Sequence, residues 1–194
     1  MSSDACLAAV APVRFSHAIG SPTAEQALPV LMASPRARRR LFEALAHRYG
    51  PLDIEPRGAD LATEWARIAL YSGAGWHAAT LRQIIDGRQL AFLIEAFAEE
   101  GPLHFALSQA GGPETNGSWD DPADLVAAIR RDGLACLKCW RDAALADPDK
   151  SALARLMTLA APVGTFRNAR SIAAFDRAAA LAGVDAALHT LQMP

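Results

Sequence analysis

Along most of the chain apolar residues recur three and four positions apart, and no segment of useful length alternates apolar with polar. Ala, Leu and Arg are abundant, while the strand-favouring Val, Ile and Thr are sparse. The pattern predicts an all-α protein, a single globular multi-helix domain over residues 34–194, preceded by an irregular N-terminal segment over 1–33. That segment carries Pro12, Pro22 and Pro29, with room for one short helix near 24–32. Helix punctuation becomes clear from Ser34. Its hydroxyl can cap, Pro35 suits the first helical position, and Gly50-Pro51 ends the run after Tyr49. Leu41, Phe42, Leu45 and Tyr49 give this helix one apolar stripe.

The same logic places a helix capped by Asp60 through about Leu70, and helices over 76–85, 89–99 and 103–109, with breaks at Ser72-Gly73, Gly87 and Gly101-Pro102. Residues 110–121, AGGPETNGSWDD, read as the loop between two helical halves. Asp121-Pro122 opens a long helix to about 146, on which Leu125, Ile129, Cys136, Leu137 and Trp140 share a stripe. Further helices are expected from Pro148 to before Pro162, over 171–181 capped by Ser171, and over 184–191 after Gly183.

Composition narrows the partners. The chain has 194 residues, 52% of them apolar and 21% charged, which suits one domain with a real core. A net charge of −2 supplies no global field for nucleic acid or anionic lipid. The one dense basic run is RARRR, Arg36, Arg38, Arg39 and Arg40, which reads as a solvated helix face or as a contact for an acidic partner. No apolar stretch approaches the roughly 20 residues that span a bilayer. The N-terminus lacks a basic start and carries Asp4, so no signal peptide is expected. Three cysteines argue against a disulfide framework, and the expected compartment is the cytoplasm.

The chemistry-bearing residues are few. GWHAATLRQIIDGRQLAFLIEAFAEEGPLHFAL, residues 75–107, holds His77 and His104 but no close-spaced His pair of the kind zinc sites use. His77 borders an apolar helix face. Glu99 and Glu100 are the nearest acid–base candidates, at a helix end. CLKC, Cys136 to Cys139, is a lone C-x-x-C in mid-helix with no strand before it and no second pair, which fits core packing better than redox or metal chemistry. The sequence has no phosphate loop, no G-x-G-x-x-G, no G-x-S-x-G and no His-Glu-x-x-His. The stretch 75–107 therefore reads as packing, and the chain as a non-enzymatic interaction module that needs no metal or cofactor.

AGWHAATLRQIIDGRQLAFLIEAFAEEGPLHFAL followed, after a loop, by DGLACLKCWRDAAL resembles the K-type cytosolic sorting-platform proteins of bacterial type III secretion systems. The resemblance rests on the helix start with His77, Arg82, Ile84 and Ile85, on Leu90 to Leu107, and on Asp132 to Trp140; it covers roughly residues 35–145. It implies a cytosolic adaptor that links the cytosolic domain of an inner-membrane ring protein to the pod protein below it, and no catalytic residues. On that reading Arg36, Arg38, Arg39 and Arg40, together with Trp119 on the loop, are the candidate partner-binding residues, although a loop Trp also often folds back onto its own domain. Two alternatives stay open. One is a helical enzyme or cofactor binder with a pocket near His77, His104 and Glu99/Glu100. The other is a helical regulator reading DNA through the Arg36 to Arg40 helix.

Overall fold

The computed structural model describes residues 7, 10–20, 24–51, 61–84, 86–109, 113, 119, 121–161 and 164–191. Among these residues the structure is helical, with no strand. The chain divides into two compact units: Met1–Trp65 with Arg141–Thr165 and Pro194, and Ala66–Trp140 with Phe166–Met193.

In the first unit α1 (Pro12–Ile19), α2 (Ala24–Ala33) and α3 (Pro35–Tyr49) follow one another, and α9 (Ser151–Ala160) returns to them. Among the described residues of the N-terminal stretch, α2 stands where the short helix near 24–32 is expected, and α1 precedes it. Pro12 sits in the first turn of α1, where its missing N–H costs nothing, and Gly20 at φ 72° closes the helix in the left-handed region. Pro29 lies inside α2 and does not end it. The start of α3 is as expected, with Ser34 Oγ accepting from the Ala37 amide at 3.5 Å. Leu7, Val10, Phe15, Leu41, Leu45 and Leu159 form the buried core, and the Ala11 amide donates to the Leu159 carbonyl at 3.0 Å.

In the second unit the elements are most of α4 (Leu61–Trp76), α5 (Ala78–Leu81), α6 (Gly87–Phe97), α7 (Gly101–Ser108), most of α8 (Pro122–Ala144), most of α10 (Thr165–Asn168), a 3₁₀ turn (Ala174–Asp176) and α11 (Arg177–Thr190). Ala74, Leu81, Leu93, Phe97, Leu125 and Ile129 are among the core residues. Two expected breaks are absent: α4 runs through Ser72-Gly73 and α11 through Gly183. The expected cap at Ser171 is also absent, since regular structure resumes only at Ala174. The expected cap at Asp60, and most of the 110–121 loop, lie outside the described residues.

Gly73 stays helical because it is a notch for a neighbour. A Cβ there would lie 2.0 Å from the Ile129 carbonyl oxygen, and one at Gly133 would lie 1.9 Å from the Ala69 carbonyl oxygen. The two glycines thus face each other where α4 crosses α8, with backbone against backbone. The helix-propensity cost of glycine, about 1 kcal/mol each, is outweighed by this approach. Gly73→Ala or Gly133→Ala should therefore destabilise the chain by about 2 kcal/mol, because the obstructing atoms are backbone and cannot swing away. Gly183→Ala, with nothing within 4 Å of the added methyl, should instead gain about 0.5–1 kcal/mol. Chemical denaturation of the three variants checks the contrast.

Candidate functional site

Beside the glycine crossing lies a buried His–Asp pair. His77 directly follows α4, its amide still donating to the Gly73 carbonyl at 3.0 Å, and Asp132 precedes Gly133 on α8. Their side chains are 2% and 3% exposed, and His77 Nε2 lies 2.9 Å from Asp132 Oδ2. The second carboxylate oxygen, Oδ1, accepts from Arg131 Nε at 3.2 Å and from Arg170 Nη2 at 3.0 Å. Burial alone would push the Asp132 carboxyl up, but the hydrogen bond from His77 and the charges of Arg170 and Arg131 hold it below its ordinary value. Asp132 is therefore ionised, and Nε2 carries the proton it donates.

A His–Asp pair is also how a general base is oriented, so access decides its use. His77 Nδ1 is itself buried, and the ring packs T-shaped against Trp119 at 5.9 Å between centroids. Trp119 is half-buried against the second unit's core and lines a cavity of about 250 Å³ with Thr80, Gln83, Ile84, Gln89, Pro122 and Leu125. Neither His77 nor His104 lines that cavity. His104 is 75% exposed, 3.6 Å from Glu100 on the preceding turn. Glu99 is held by Arg67 through two bonds of 3.1 and 2.9 Å and also contacts the Tyr71 hydroxyl. The structure does not gather His77, His104, Glu99 and Glu100 into one site.

Cys136 is buried, and burial above all pushes its thiol up to about 12, well away from the thiolate range of reactive cysteines. Cys139 is half-buried, and Cys6 lies outside the described residues. No three His, Cys, Asp or Glu side chains cluster as metal ligands among the described residues. No helix of the described residues is long and apolar enough to cross a membrane.

The four arginines of α3 have different surroundings. Arg38 turns back to the Met32 carbonyl at 3.1 Å, and Arg39 pairs with Glu43 at 2.9 Å. Arg36 and Arg40 are exposed and line a groove of about 730 Å³ in the first unit, with an apolar lining that includes Ile19, Leu31, Ala37 and Leu41. In the sequence the run is one patch; the helical period splits it in two. The His77–Asp132 pair is not visible in the sequence because 55 residues separate the partners. The one signal was a His bordering an apolar face, with an Asp in the interior of a predicted long helix.

The class defined by these features is an all-α protein with a buried His–Asp–Arg network in one unit and an arginine-lined apolar groove in the other. No family profile matches the chain, and no solved structure matches it. Over 74 residues it is 32% identical to nodulation protein NolU of Rhizobium fredii, and equally to NolU of Sinorhizobium fredii strain NBRC 101917 / NGR234. The match takes in 38% of this chain and 34% of the relative, so it spans about a third of the length of these curated relatives. The chain is a distant, partial homologue of NolU.

The network makes a specific acid response. A carboxyl held low in the folded state adds stability that is full above its unfolded value, 3.8, and is lost as pH falls through the folded value. Asp132→Ala should cost about 3 kcal/mol at neutral pH, since it leaves His77 and the arginines facing an emptied site. Its stability should also fall less between pH 5 and pH 3 than that of the parent chain. Urea titrations at several pH values read both effects.

Proposed function

We propose that this chain is a non-enzymatic adaptor of a bacterial type III secretion sorting platform, linking the cytosolic domain of an inner-membrane ring protein to the pod protein and so supporting protein export. The observation that carries the reading is the fate of the chemistry-bearing residues. His77 and Asp132 are consumed in holding two helices together, Glu99 is tied to Arg67, and His104 stands exposed on another turn. What remains available on the first unit is a surface, the groove lined by Arg36 and Arg40. That division suits a binding module better than a catalyst.

Two further observations support it. The resemblance to K-type sorting-platform proteins runs over helices that the structure contains, from α3 through α8. The partial likeness to nodulation protein NolU is consistent with a secretion-related role. In this reading the protein works in the cytoplasm, at the inner face of a membrane-embedded ring, and takes protein partners without cofactor or metal.

Gentle crosslinking in the native bacterium, followed by recovery of the tagged full chain and mass spectrometry, tests the proposal. Ring, pod or ATPase-associated components of a secretion apparatus are expected at stoichiometric levels. Recovery of the folded monomer without any of them overturns it.

A further inference from the structure

The groove in the first unit has a composition that selects its occupant. Its wall on α3 repeats at positions 36, 37, 40, 41 and 44, one face of a helix; the opposite side comes from the end of α1 and the α2–α3 junction. Ala18, Ile19 and Leu31 make that side apolar apart from Ser34. Leu41 is buried, whereas Ile19 at the mouth is 43% exposed. Arg36 and Arg40 stand four residues apart on this face, so their backbone anchors are about 6 Å apart along the helix axis. Both are exposed, and among the described residues neither forms an ion pair. The other two arginines of the run are already engaged, by Met32 and Glu43.

We infer that this groove docks an amphipathic helical segment of a partner protein, one that carries two carboxylates a single turn apart beside an apolar stripe. The apolar wall takes the stripe, and Arg36 and Arg40 pair with carboxylates at i and i+4, which repeat at the arginines' own spacing. A duplex backbone would call for a wider basic surface and gains nothing from Ile19 and Leu31, and the net charge of −2 works against it. This inference rests on the adaptor reading for its biological setting but not for its chemistry. The adaptor can be recovered with its apparatus through another face, so the two can fail separately.

The test uses the full chain and two synthetic helical peptides. Both carry the same leucine stripe; one has glutamates at i and i+4 beside it, the other lysines. Fluorescence anisotropy measures binding to the parent chain, to the Arg36→Glu/Arg40→Glu variant and to Ala37→Trp, with circular dichroism confirming that each variant is folded. The expected result is saturable binding of the glutamate peptide by the parent chain, at least tenfold weaker binding by the charge-reversed variant, and recovery when that variant meets the lysine peptide. Ala37→Trp, which fills the groove while keeping both arginines, should weaken binding by a similar factor. Three results overturn the inference: equal binding of the glutamate peptide by parent and charge-reversed chains; salt-dependent binding of a DNA duplex lost on charge reversal, without peptide binding; and a dimer of the parent chain that charge reversal dissolves.

Discussion

The packing of the second unit depends on one close approach, the crossing of α4 and α8 at Gly73 and Gly133. Backbone meets backbone there, with no room for a Cβ on either helix. So close a contact brings polar groups into a dry interior, and the residue beside Gly133 carries the consequence. A carboxylate at Asp132 is withdrawn from water, which costs several kcal/mol unless its oxygens are satisfied. His77 satisfies one oxygen, and Arg131 and Arg170 satisfy the other. Arg170 belongs to the segment after α10, so the carboxylate also fixes where the chain passes behind α8. Trp140 on α8 makes a second such tie, its indole N–H donating to Asp185 Oδ1 at 2.7 Å. Satisfied in this way, the polar cluster limits the crossing to one register, since sliding either helix would strand a charge.

Local signals in the sequence foretold local structure. Ser34-Pro35 and Asp121-Pro122 opened helices as expected, because a cap needs only residues within one turn. The stripe on α8 also emerged as buried core at Leu125, Ile129, Cys136, Leu137 and Trp140. Misreadings came where a distant partner decided the outcome. Gly73 and Gly183 look alike as helix breakers, yet one is a contact point and the other is simply tolerated in a helix interior. Pro12, counted among the prolines of an irregular segment, starts a helix that Gly20 ends and that packs against α2 and α3 through Phe15. The division into units falls inside helices, at Trp65/Ala66 and Trp140/Arg141, where no linker signal exists.

The candidate site was legible in part. The arginine run was visible, but which arginines line a groove follows from the side of α3 on which each falls. His77 was visible as a polar residue beside an apolar face, while its role required Asp132, which only the folded helices bring to it. Trp119 packs T-shaped against His77 and joins the core from the loop, so its large apolar surface is already partly spent within its own unit. The two units thus differ in character. One uses its titratable groups to hold itself together, and the other leaves a charged, apolar groove uncovered by the described residues.

Hydrogen–deuterium exchange on the full chain, read peptide by peptide, is the most direct measurement of the claim that the α4–α8 crossing organises the second unit. Amides at 73–77 and 129–133 should be among the slowest in that unit, opening only with global unfolding. If they exchange as fast as the ends of α6 and α7, the crossing is not what the unit depends on, and His77 and Asp132 would have to be reconsidered as groups kept accessible for chemistry.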